Sequence, residues 1–144
     1  METATKVKET QSTKRINLLS DGKAVIDTLS HFGAHLEKSD LPSTLMHLIY
    51  YRVSQINGCA FCLDMHSKDL LAAGEIMQRL LTMDAYRATP FFTPAERAAL
   101  SWAEAVTTLE HGSVPQEVYE QAAKYFSGAQ LMDLTLGIAA INTS

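Results

Sequence analysis

Two cysteines, Cys59 and Cys62, stand three residues apart, and His66 follows four residues after the second. A Cys-x-x-Cys pair can cycle between dithiol and disulfide if its sulfurs meet, and positions i and i+3 of a helix share one face. His66, at i+4 from Cys62, falls one turn further along that face. Asn57-Gly58 is a turn signal, and the run through Leu70, Leu71, Ala72 and Ala73 reads as helix. The cysteines are therefore expected at a helix N-terminus, where free N–H groups and the dipole favour a thiolate. An isolated thiol, with a pKa of about 8.5, is mostly protonated at neutral pH. Three other readings compete with a reactive pair. Buried free cysteines are often inert. Cys59, Cys62, His66 and, in addition, His47 are also legitimate zinc ligands. Zinc is disfavoured because three of these ligands lie within eight residues, whereas zinc fingers close long loops between ligand pairs. A disulfide that merely switches an interface would make the chain a redox sensor rather than an enzyme.

The elements that must position these groups read as helices. Residues 1–15 are polar, with Lys6, Lys8, Lys14 and Arg15, and are expected to form a flexible tail ahead of a single domain over 16–144. Leu18, Leu19, Ala24, Val25, Leu29, Phe32 and Leu36 recur at steps of three and four and predict an amphipathic helix over 16–37. Within it His31 and His35 lie one turn apart, a metal-compatible spacing that lacks a third ligand and reads as surface. A second helix over 42–55 carries Leu45, Leu48, Ile49 and Val53 on one side and His47, Tyr51 and Ser54 on another. Tyr51 is placed within reach of the site, and Arg52 is either a surface partner or a cation near the thiolate.

The third helix runs from the cysteines to Ala73, with Gly74 as its C-cap. In it Asp64 is expected in solvent, and Phe61 and Met65 as core or pocket wall. A short helix over 75–85 precedes a loop over 87–92. Thr93, Pro94 and Glu96 form a capping-box signature for a helix to about Glu110. Helices over 115–125 and 130–141 close the chain. No stretch alternates convincingly, so the fold class is all-α, a compact bundle of about six to seven helices.

Composition narrows the function. The 144 residues suit one domain, and 47% apolar with 19% charged residues fits a globular core. A net charge of −4 without a basic stripe argues against a nucleic-acid partner. No apolar run approaches the roughly 20 residues of a membrane span, and Met-Glu-Thr-Ala-Thr-Lys has no apolar core of a secretory signal. A cytoplasmic location is expected, where a Cys-x-x-Cys is more often catalytic or metal-binding than structural. No phosphate-binding glycine loop is visible, and no flavin, haem or nucleotide cofactor is required.

The block Arg52-Val53-Ser54-Gln55-Ile56-Asn57-Gly58-Cys59-Ala60-Phe61-Cys62-Leu63-Asp64-Met65-His66 resembles the signature of the alkyl hydroperoxidase D-like (AhpD-like) proteins. These belong to the wider carboxymuconolactone decarboxylase family. The similarity continues through Ser67-Lys68-Asp69 and Ala72-Ala73-Gly74-Glu75, and resumes over 92–105 and 134–142. It implies a thiol-dependent peroxidase in which Cys62 attacks a hydroperoxide, Cys59 resolves the sulfenic acid and His66 acts as base. It further implies an external dithiol carrier as reductant and a homo-oligomer, trimer or hexamer. Members with the full redox site usually carry glutamate twelve residues before the first cysteine; here that residue is His47, expected to replace it as a relay member. The wider family also implies an alternative, a decarboxylase or lactone-type enzyme, which has no use for a dithiol.

Overall fold

The structure, a computed structural model, describes residues 15–143. The expected tail therefore lies outside the described residues, apart from an exposed Arg15. Asn17 caps a single turn, α1 (Leu18–Asp21), its side chain accepting from the backbone N–H groups of Leu19 and Ser20. Gly22 interrupts the helix there, with its N–H returned to Leu18, and α2 (Lys23–Leu36) follows. The one helix expected over 16–37 is thus two. Neither buries a residue fully, and Leu18, Leu19 and Val25 stand 63–81% exposed. α2 meets the rest of the chain mainly through α8 (Gly128–Thr143), and only its Ile26, Leu29, Phe32 and Leu36 are half-buried.

Pro42 stands at the N-cap of α3 (Ser43–Asn57), which supplies much of the core through Leu45, Met46, Leu48, Ile49 and Val53. α4 (Ala60–Ala72) begins immediately after it and packs along it. A single turn, α5 (Met77–Leu81), and a 3-10 segment, Met83–Ala88, occupy the region expected as one helix and a loop. α6 (Pro94–Thr108) carries the predicted capping box: Thr93 accepts from the Glu96 N–H at 3.1 Å and Glu96 from the Thr93 N–H at 2.8 Å. After a 3-10 turn at Glu110–Gly112 come α7 (Gln116–Ala123) and α8. No strand occurs among the described residues, so the fold is all-α as expected.

α3 is the central element, in contact with α4, α6 and α8. Ile49, Val53, Leu100, Ala103, Leu134 and Ile138, from α3, α6 and α8, are closed to solvent. Burying a large aliphatic side chain contributes about 1.5–3 kcal/mol, so this junction holds the frame on which the site is built. α3 and α8 approach closely at Gly137, where a Cβ would run into Met46 Cε and sit 3.3 Å from Tyr50 Cε1. α8 starts two residues earlier than predicted because Ser127 and Gln130 form a second reciprocal cap, at 3.2 and 2.9 Å.

Candidate active site

The turn between α3 and α4 is set by backbone hydrogen bonds. Gly58 takes a left-handed conformation, φ +64°, as the Asn57-Gly58 signal predicts. Its N–H returns to Gln55 O at 3.2 Å, and the Cys59 N–H returns to Ser54 O at 3.1 Å. These two bonds form a Schellman closure of α3 that fixes the Cys59 backbone. Cys59 is extended, φ −82° and ψ 100°, and is itself the N-cap of α4. Its Sγ accepts from the Cys62 N–H at 3.2 Å. The far end of α4 repeats the motif: Gly74, φ +94°, donates to Leu71 O, and Glu75 donates to Leu70 O.

Cys59 and Cys62 are joined as a disulfide, with Cα atoms 5.3 Å apart. The pair therefore meets as its spacing predicts. The two sulfurs are not equivalent: Cys62 is 6% exposed, whereas Cys59 is partly open to solvent. Cys62, His66 and Leu70, at steps of four, form the inward face of α4. Phe61 and Met65 lie off that face, 75% and 39% exposed, so neither is a core residue. Asp64 is in solvent as expected, paired with Lys68 at 2.7 Å.

His66 is 6% exposed, and neither ring nitrogen has a hydrogen-bond partner. Burial pushes its pKa below the usual imidazole value, the neighbouring His47 lowers it further, and Asp69 draws it part of the way back. Above neutral pH it is therefore an uncharged imidazole with a free lone pair. His47, from α3, lies with its ring 6.5 Å from that of His66, and its Nδ1 is likewise buried without a partner. Tyr50 completes the group, with ring centroids 5.4 Å from His66 and 5.9 Å from His47. Burial raises its phenol pKa. Tyr50, not Tyr51, is the aromatic of the site; Tyr51 packs against the core. His47 and Tyr50 also line a cleft of about 290 Å³ with Leu36, Leu41 and Met46.

The remaining sequence candidates lie elsewhere. Arg52 pairs with Glu104 at 2.9 Å and also donates to Gln55. Glu104 in turn receives Arg87 at 2.7 Å and the Tyr86 hydroxyl, whose pKa burial and that carboxylate push up to about 12. Arg52 is thus occupied in a structural cluster. His35 joins Asp133 at 2.8 Å across α2 and α8, while His31 stays exposed. Two residues of the site escaped the sequence reading. Tyr50 was hidden because i+3 and i+4 from His47 are both helical neighbours. Asp69 stands at i+3 from His66, a spacing that was present but unused.

The family model for carboxymuconolactone decarboxylases matches residues 25–105. Over 109 residues the chain is 38% identical to the uncharacterized protein YdfG of Bacillus subtilis, covering 76% of this chain and 74% of that one. It is 29% identical over 108 residues to the uncharacterized protein YnjA of Escherichia coli, covering 75% of this chain and 59% of that one. A crystal structure from Agrobacterium tumefaciens superposes with a TM-score of 0.84 at 34% identity, over 91% of this chain and 90% of its own. That protein is of unknown function, with a proposed assignment as the antioxidant defence protein AhpD. On sequence and on structure alike, this chain belongs to the carboxymuconolactone decarboxylase family and has an AhpD-like fold.

Proposed function

We propose that the chain is a thiol-dependent peroxidase that reduces hydroperoxides at Cys62 and resolves the product with Cys59. The observation that carries this reading is the Cys59–Cys62 disulfide at the N-terminus of α4, with an unpartnered buried imidazole one turn further on. Neutral His66 takes the proton of the Cys62 thiol, and the α4 N-terminus stabilises the thiolate. The thiolate attacks one peroxide oxygen, the O–O bond breaks, and the leaving alkoxide takes a proton from the imidazolium. Cys62 is left as a sulfenic acid. The Cys59 thiol then condenses with it, forming the S–S bond and releasing water. Dithiol and hydroperoxide thus give disulfide, alcohol and water.

An external dithiol closes the cycle by thiol–disulfide exchange. The exposed sulfur, Cys59, is the one its thiolate attacks, and Cys62 leaves as the stabilised thiolate. His47 is a relay member behind His66. Assembly into a homo-oligomer is part of the proposal, supported by the apolar side chains that α1 and α2 leave open. No helix among the described residues is long and apolar enough to cross a membrane.

Peroxide consumption with dithiothreitol tests the reading. Wild type is expected to turn over repeatedly, and Cys62→Ser to fall to the rate of reductant alone. One stoichiometric oxidation without turnover would make the chain a redox sensor, and equal rates in the two proteins would refute the peroxidase.

A further inference from the structure

His66 and His47 present three buried ring nitrogens without a hydrogen-bond partner, two of them on a side chain only 6% exposed. Buried polar atoms left unpaired are costly and rare, so a group of three calls for an occupant. The disulfide removes both thiols from consideration in this oxidation state. A third donor is close by. Asp69 lies one turn after His66 on α4, exposed, and its carboxylate takes no hydrogen bond among the described residues. One donor atom from each of His47, His66 and Asp69 lies within 4.8 Å of the other two.

We propose that His47, His66 and Asp69 form a binding site for a divalent transition-metal ion such as zinc, available in the disulfide state of the chain. Two imidazoles and one carboxylate suit zinc or its first-row neighbours, and three protein donors leave a coordination position open. Zinc bonds of about 2.0–2.2 Å set tetrahedral donors roughly 3.4 Å apart. The site must therefore close by up to about 1.4 Å, which an exposed aspartate on a single turn of helix supplies by side-chain rotation. The two histidines come from packed neighbouring helices and need little movement. This donor set differs from a Cys-x-x-Cys zinc centre, because it needs neither sulfur. The identity of residue 47 is decisive, since here the α3 donor is an imidazole.

A bound ion has a consequence for the chemistry above. It occupies a His66 lone pair, so metal binding and proton acceptance at that ring exclude each other. Zinc would hold the peroxidase silent. This regulatory consequence rests on the proposed peroxidase; the binding itself does not.

The experiment uses the full chain, oxidised and shown to lack free thiols, stripped with chelator and titrated with zinc by calorimetry. Cobalt absorption in the visible range reports coordination. One ion per chain is expected, with wild-type affinity retained in the Cys59→Ser/Cys62→Ser double variant. Asp69→Asn and His47→Gln should each weaken binding by at least the roughly 10- to 100-fold that loss of a supporting residue produces. These two variants lie on different helices, so misfolding of one leaves the other to decide. No binding to wild type, undiminished binding in both variants, or loss of binding with the cysteines would each overturn the site. Zinc should also inhibit peroxide turnover reversibly. If the chain shows no turnover at all, the calorimetric titration still decides the metal site alone.

Discussion

Helices α4 and α6 both begin with a side chain that caps its own first turn, and they differ in what lies behind the cap. At α6, Thr93 and Glu96 satisfy each other's backbone N–H groups, and Glu96 also receives the Arg79 guanidinium. Arg79 in turn reaches Glu75 at 3.0 Å and Phe91 O at 2.6 Å, and lies 4.7 Å over the Phe92 ring. At α4 the cap is a sulfur, and one turn in stands an imidazole with nothing bound to either nitrogen. The same local device thus serves two ends. Where charged groups are ion-paired, as Arg79 is with Glu75 and Glu96, they hold the fold. Where an imidazole is left without a partner in a buried place, it is free to act.

The contrast predicts opposite responses to substitution. His66→Met should lower peroxide turnover about 10²- to 10⁴-fold, the range of a general base. Its unfolding free energy should stay level or rise, because a buried group without hydrogen bonds is replaced by an apolar one of similar reach. Urea unfolding that showed a large loss would mean that His66 is a structural residue. Glu96→Ala should do the reverse. It strands the Arg79 charge and should destabilise by about 3 kcal/mol, while the alkylation rate of reduced Cys62 is unchanged. A smaller cost, about 1 kcal/mol, is expected for Thr93→Ala, which removes only the cap.

The pH dependence of stability separates the two regions further. His66 has a folded pKa below its unfolded one, chiefly through burial. The unfolded chain therefore binds that proton first, and stability complete above about pH 6.5 is lost as pH falls through the window beneath it. Glu96 is pushed up by burial, but the hydrogen bonds of Arg79 and Thr93 outweigh this and leave its pKa lowered. Its contribution is complete above about pH 4.3 and is lost only as pH falls further. Urea midpoints across pH should show two declines, the first erased by His66→Met and the second reduced by Glu96→Gln. The remainder of the second is left to Asp133 and Asp21, whose carboxyls are also held low. A finer effect concerns His47, whose charge helps to depress His66. His47→Gln should move the acid limb of turnover to higher pH, and an unmoved limb would take His47 out of the relay.

Legibility in the sequence followed the range of the interaction. The capping box at Thr93, the left-handed glycines at 58 and 74, and the shared face of Cys62 and His66 are each set by residues within five positions of one another. All were readable. What failed depended on distant partners. The apolar steps over 16–37 gave a helix, but Gly22 divides it and the stripe stays largely open, because α2 is covered mainly by α8. An apolar side chain at position 61 or 65 does not by itself face the core, because Cys62, His66 and Leu70 already fill the inward face of α4. Tyr50 against Tyr51 turned on the rotation of α3, which the close packing at Gly137 fixes.

The central claim is that Cys62 is a thiolate activated by its place on α4 and by His66. The direct measurement is made on reduced Cys59→Ser, where no resolving thiol remains. One equivalent of hydroperoxide is added, and the sulfenic acid is trapped with dimedone and located by mass spectrometry. The account predicts an adduct at Cys62 that forms at least about tenfold faster than on free cysteine at pH 7 and is slowed by His66→Met. An adduct no faster than on free cysteine, or none at Cys62, would contradict it.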